Sequence, residues 1–187
     1  MMAGYEWFSP TRTTGLLSYA VSFGACAWAW AAERRRGRRG GIYLLLAGLQ
    51  LGLVLDMAFD LRWKLHELFM TRAMELHVYG ERRDPQLVAL ILLGGVSAVC
   101  VVWILRRFRG RPGLAVAISG TLLSIGLWCC EMLSYHFMDH VLYSMVGELM
   151  LVSFLWLGLA MTTCYGVWQD RASWRAVLYR GNGARRR

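Results

Sequence analysis

Five stretches of about twenty mostly apolar residues, near 14–32, 41–61, 87–105, 113–136 and 141–168, limit what this chain can fold into more than any other feature. In hydrocarbon a backbone N–H or C=O has no water to turn to, so such stretches are stable as helices that satisfy their own hydrogen bonds. About twenty residues rising roughly 1.5 Å each cross the apolar core of a bilayer. The fold expected is all-α: a polytopic membrane helix bundle of about five transmembrane helices, forming a single domain over 1–187. With 57% hydrophobic residues and only 3 prolines among 187, a water-soluble domain would have to enclose more apolar surface than its size allows.

Charge gives the orientation. The formal net charge of +9 is carried by short arginine runs between the apolar spans, which fits retention at the cytoplasmic face and not nucleic-acid binding. Fifteen of the 21 Lys and Arg residues fall on one side of the spans, in 34–39, 106–111 and the basic tail 169–187. By the positive-inside rule that side is cytoplasmic, which puts the N-terminus, the segment 62–86 and the turn near Asp139 outside. The outer segment 62–86 alternates apolar and charged residues at helical spacing, so it reads as an amphipathic helix that either continues the second span or lies on the membrane surface, ended by Gly80 and Pro85. The five cysteines, all in or beside apolar stretches and without a C-x-x-C pair, read as packing residues.

A carboxylate inside a span costs several kcal/mol unless it is partnered, so intramembrane acids tend to face the bundle and mark function. Asp56, Asp60, Glu131 and Glu148 are such acids on this reading, with Glu148 about 10 Å into the fifth helix. The cations nearest to them in this reading are Arg82, Arg83 and a protonated His136, and Asp56, Arg82 or Arg83, His136 and Glu148 are expected to converge near the outer boundary. His136 and His140 stand four apart with Asp139 beside them, the spacing by which two imidazoles share one metal. His136, Asp139 and His140, with oxygens from the acids, would suit zinc, iron or manganese. Haem would need two histidines facing the bundle at one depth, and His66 and His77 lie in the outer segment instead. Tyr79, Arg82, Arg83 and Gln86 form Y-x-x-R-R-x-x-Q before the third span, a set able to grip a phosphate or carboxylate.

Several of these residues carry a resemblance. Leu55-Asp56, Tyr79 to Gln86, Ser134 to Asp139 and Glu148 resemble a family of small uncharacterised bacterial multi-pass membrane proteins over about half the chain. The chain departs from that pattern at Met57-Ala58 and at His77-Val78. The resemblance implies a bacterial plasma membrane location and a shared polar site of Asp56, Tyr79, Arg82, Arg83, Gln86, His136, Asp139 and Glu148, with no reaction attached. It leaves His140, Asp60 and His66 outside that site.

The function expected is a membrane-embedded enzyme or ligand-binding protein with a pocket at the outer face, acting on a lipid or other amphiphile with a charged headgroup. Asp56, His136, Asp139 and Glu148 would be its acid–base or metal residues, with Tyr79, Arg82, Arg83 and Gln86 holding the ligand. The rival class is a non-enzymatic scaffold or assembly subunit that meets a membrane protein partner or another copy of itself through an exposed helix face. A small transporter is disfavoured at this stage, because the inner halves of the spans show almost no ionisable residue.

Overall fold

The computed structural model describes residues 9–37, 40–75, 83–133 and 136–184; at Ala73, Arg83, His136 and 174–184 it describes the backbone alone. Five of its helices are long and apolar enough to cross a membrane, and the protein is a multi-pass membrane helix bundle. Helix α1 (Pro10–Arg34) opens on Ser9, whose hydroxyl accepts from the Arg12 N–H, with proline in the first turn where no N–H is needed. Helix α2 (Gly41–Phe59) stops at Asp60, which takes a left-handed conformation with φ 53. That turn breaks the helix and starts α3 (Leu61–Glu75), so the amphipathic stretch is a separate element and not a continuation of the second span. Helix α4 (Arg83–Arg107), helix α5 (Pro112–Leu133) and the short α6 (His136–Leu142) follow.

The fifth span differs from the sequence reading. Strands β1 (Met145–Val146) and β2 (Leu149–Met150) form an antiparallel hairpin, and only then does α7 (Leu151–Ala184) begin. Gly147 sits at φ +68 in the two-residue turn, a backbone geometry that glycine adopts without strain. An apolar run does not by itself distinguish a helix from a strand pair, which is why 141–150 reads as helix in the sequence. The Met150 N–H donates to Thr11 Oγ1 at 3.3 Å and ties the hairpin to α1.

Helices α1, α2, α5 and α7 form the bundle, with α1 between α2 and α7, and α7 against α5. Gln50 of α2 donates to Thr121 of α5 at 3.2 Å and closes the ring. The fit of α5 on α7 depends on glycine: a Cβ at Gly113 or Gly166 would overlap the opposite backbone, and one at Gly120 would overlap Thr163. The glycines that the sequence suggests for close packing, Gly48, Gly52, Gly94 and Gly95, have nothing within 4 Å of a Cβ and face outward. Helix α4 packs on α5 and leaves most of its surface uncovered. The five cysteines are unpaired.

Candidate functional site

The N-terminal end of α1, the C-terminal ends of α2 and α5 and the start of α7 enclose a buried arginine. Arg62 Nε lies 3.1 Å from Asp56 Oδ2, its Nη1 contacts Glu131 Oε2, and its Nη2 reaches Met57 Sδ at 3.2 Å. The arginine and Glu131 side chains are 9% and 1% exposed, so neither charge is left to solvent. Asp56 also accepts the Arg62 backbone N–H at 2.8 Å, which caps the first turn of α3 and fixes the carboxylate before the side chains meet. Trp156 of α7 donates Nε1–H to Glu131 Oε1 at 3.0 Å, while the guanidinium carbon stands 5.6 Å from its ring centroid and Tyr19 packs on that ring. A second pair lies beside this cluster: Arg12 bonds Asp60 at 3.0 Å and the Ala58 carbonyl at 2.8 Å.

The cations that neutralise the acids are therefore Arg62 and Arg12. Asp56, Asp60 and Glu131 do converge at one end of the bundle. Glu148 does not: it is exposed in the hairpin turn, outside any span, and the sequence reading of it as an intramembrane acid is corrected. Asp139 is half-buried and joins Arg62, His66, Glu131 and Tyr143 around a small pocket of about 10 Å³. His140 is exposed on α6, and the side chain of His136 lies outside the described residues. Among the described residues, no group of three or more His, Cys, Asp or Glu side chains is placed to hold a metal ion. Gln86 donates to the Leu133 carbonyl at 2.9 Å and so caps the end of α5. Tyr79 and Arg82 fall outside the described residues, as does the Arg83 side chain.

Beside this cluster a cleft of about 510 Å³ opens between α3, α4 and α5. Its walls are Phe69, Met70, Ala89, Leu93, Trp128, Cys129 and Leu133, with His66 and Gln86 as polar members. His66 and Met132 line both this cleft and the small pocket at Arg62, so an apolar space adjoins a charged one.

The opposite end holds a cluster that the sequence reading missed. Arg111, from the α4–α5 connection, donates Nε–H and Nη2–H to the two oxygens of Asp170 at 3.2 and 2.7 Å and Nη2–H to Glu33 at 3.2 Å. Tyr43 OH donates to Asp170 at 2.7 Å. The Asp170 hydrogen bond and the two carboxylates raise the Arg111 pKa above the arginine value, although partial burial acts the other way. A raised basic pKa contributes stability that is full below the ordinary arginine range and fades only above it, so physiological pH does not open this clasp. Nearby, Arg171 lies 4.9 Å over Trp28 and points a longer contact of 3.5 Å at the Ala29 carbonyl. The signal was in the sequence: Glu33, Arg111 and Asp170 each fall one or two residues outside a span as the sequence marks it, where a charge reads as a boundary marker.

A family model described as a domain of unknown function, DUF8692, matches residues 2–137. The chain belongs to this family. No curated protein and no solved structure matches it. The DUF8692 match contains Arg12, Asp56, Asp60, Arg62 and Glu131, and at the other end Glu33, Tyr43 and Arg111. It stops before the hairpin, so Trp156 and Asp170, which complete the two clusters from α7, lie beyond the matched DUF8692 region.

Proposed function

We propose that this protein sits in a bacterial plasma membrane with its N-terminus outside and binds an amphiphile with a charged headgroup at the outer end of the bundle. The observation that carries the reading is an apolar cleft of about 510 Å³ that lies beside the small pocket at Arg62, Glu131 and Asp139, the two sharing His66 and Met132 in their walls. That volume is in the ordinary range for small-molecule sites, and its apolar walls with a few polar groups at one side suit a tail and a headgroup. Gln86 lines the cleft, and Arg82 and Arg83 stand four and three residues before it in the chain, where they would grip a headgroup phosphate. The orientation rests on the exposed arginines of 34–36, 106, 107 and 109, all at the Arg111 end.

Photo-crosslinking in nanodiscs with a phospholipid carrying a diazirine in its acyl chain tests the site. Label on Phe69, Leu93 or Met132 that falls with Ala89→Trp, while label on the outward face of α2 stays, supports it. Label spread evenly over every exposed helix, or unchanged by Ala89→Trp, rejects a dedicated site. A membrane-impermeant thiol reagent on intact cells tests orientation, in a background lacking the native cysteines: a cysteine at Gly37 or Gly110 should stay unmodified, and labelling at both reverses the topology.

A second reading has its own observation. Helix α4 touches the bundle through α5 and exposes Ile91, Leu92, Val96 and Val99 along with Gly94 and Gly95, the surface expected of a scaffold subunit that receives a partner's helix. Native mass spectrometry of the gently solubilised protein separates the two: a bound second chain lost with Gly95→Leu favours the scaffold.

A further inference from the structure

We infer that the small pocket at Arg62 seats a primary ammonium group, so that the amphiphile held in the outer cleft is an amine-headed lipid; the inference rests on the amphiphile reading and names its headgroup. The pocket is built from parts that the fold holds in place separately. Arg62 and Glu131 belong to the buried ion cluster. Trp63 and His66 follow Arg62 on α3, with their rings edge to face and centroids 6.3 Å apart. Asp139 and Tyr143 come from α6 and the residue after it. The Tyr143 backbone N–H donates to the Asp139 carbonyl at 2.9 Å, which sets the two side chains one helical turn apart on one face. Leu142, next to Tyr143, is buried in the core cluster with Met57 and Trp156 and anchors the end of α6.

Charge decides the sign of what this pocket accepts. Glu131 and Asp139 line it, Asp56 stands behind Arg62, and Arg62 is the one guanidinium among them. Three carboxylates against one arginine leave two formal negative charges with His66 neutral, and one with His66 protonated. Arg12 and Asp60 pair with each other at 3.0 Å and add nothing to this balance. Lys64, Glu67 and His140, the next charged or titratable residues along α3 and α6, are exposed. A cation is therefore attracted and an anion repelled in every protonation state of His66. Glu131 already receives Arg62 and Trp156, so the carboxylate that meets an incoming cation is the half-buried Asp139.

Size and lining decide which cation. A space of about 10 Å³ is room for one water molecule. An –NH3+ group is of that size, whereas a trimethylammonium is several times larger. The lining offers a carboxylate, a phenol and an imidazole to three N–H donors, and the rings of Trp63 and Tyr143 to the positive charge. A metal ion is served less well, because among the described residues no three His, Cys, Asp or Glu side chains are placed to hold one. The cleft supplies the place for the remainder of the molecule. Along α4 its wall runs from Gln86 to Leu93, about 10 Å of helix leading away from the outer end. The ammonium pocket lies at Glu131 and Met132, within two residues of the outer end of α5. With His66 and Met132 in both walls, the amine sits at headgroup level and the tail lies inward from it.

Three phospholipid probes that share one diazirine-bearing acyl chain and differ in headgroup, ethanolamine, choline or glycerol, give the test on full-length protein in phosphatidylcholine nanodiscs. Label on Phe69, Leu93 or Met132 is expected to be about tenfold heavier with the ethanolamine probe than with the other two, the worth of one hydrogen bond to a charged group. Asp139→Asn should bring it down to their level. Helical circular dichroism and a single elution peak establish that the variant folds; if it does not, Trp63→Leu, at an exposed ring, is read instead, with a loss of about threefold. Equal cleft labelling by the three probes, or an ethanolamine preference unchanged in the folded variant, overturns the ammonium seat and leaves the amphiphile reading standing, with the pocket a place for water only. A cleft that no probe labels above the outward face of α2 removes both.

Discussion

The two ends of this bundle solve one problem with the same parts at different depths. Each sets a guanidinium between two carboxylates and adds an aromatic donor to one of them, Trp156 on Glu131 and Tyr43 on Asp170. Arg62 comes from a helix and is 9% exposed, whereas Arg111 comes from a connection between helices and is 32% exposed. Water can reach part of the second guanidinium and almost none of the first. The comparison teaches that the Arg62 end is fixed by mutual dependence, since no member can lose its partner to solvent, while the Arg111 end works as a clasp that solvent partly compensates.

Removing the guanidinium should separate the two ends most. Arg62→Leu leaves Asp56 and Glu131 buried without a cation, and a loss of about 3–5 kcal/mol is expected, read as folded yield and melting temperature in detergent. Equal tolerance of Arg62→Leu and Arg111→Leu would break the comparison. For Arg111→Leu the expected loss is about 1.5–3 kcal/mol, the range for hydrogen bonds to charged groups, with the freed Asp170 and Glu33 gaining some hydration. Smaller again is Tyr43→Phe, which deletes one hydroxyl and leaves the ring in the core; about 1–1.5 kcal/mol, by the same thermal measurement, would show how much of the clasp belongs to the aromatic donor. The least effect is expected at Glu148, because an exposed turn residue has no buried charge to strand: Glu148→Gln should stay within about 0.5 kcal/mol. A loss as large as that of Arg62→Leu would move Glu148 back among the buried acids.

Much of the fold was legible because a bilayer leaves the backbone few options. Length and apolarity alone mark four of the five spans to within a few residues, and the arginine runs mark one end of the bundle. The fifth span was misplaced at its start, since the stretch from Val141 reads as one apolar run, whereas Val141 and Leu142 end α6 and Met145 to Met150 form a hairpin that turns at Gly147. At the polar sites, the acids Asp56, Asp60 and Glu131 could be nominated from residue type and depth, because a carboxylate in a span demands explanation wherever it occurs. Their partners could not. Arg62 looked like part of a surface helix until the left-handed turn at Asp60 set its backbone N–H on Asp56. Arg111 read as one of the arginines that set the orientation, and Glu33 and Asp170 stood just outside the spans that the sequence marks.

The sequence by itself determined that this chain crosses a membrane, where its helices run and that its buried acids must be neutralised, because each of these follows from the energy of a group in hydrocarbon. Only the tertiary structure decided which arginine meets which acid, that Gly113 and Gly166 rather than Gly48 and Gly52 set the close helix contact, and that the two ends mirror each other. Pairing is a matter of distance between residues far apart in the chain: 69 positions separate Arg62 from Glu131 and 59 separate Arg111 from Asp170. Local propensity and burial energy carry no information over such separations until the helices have packed.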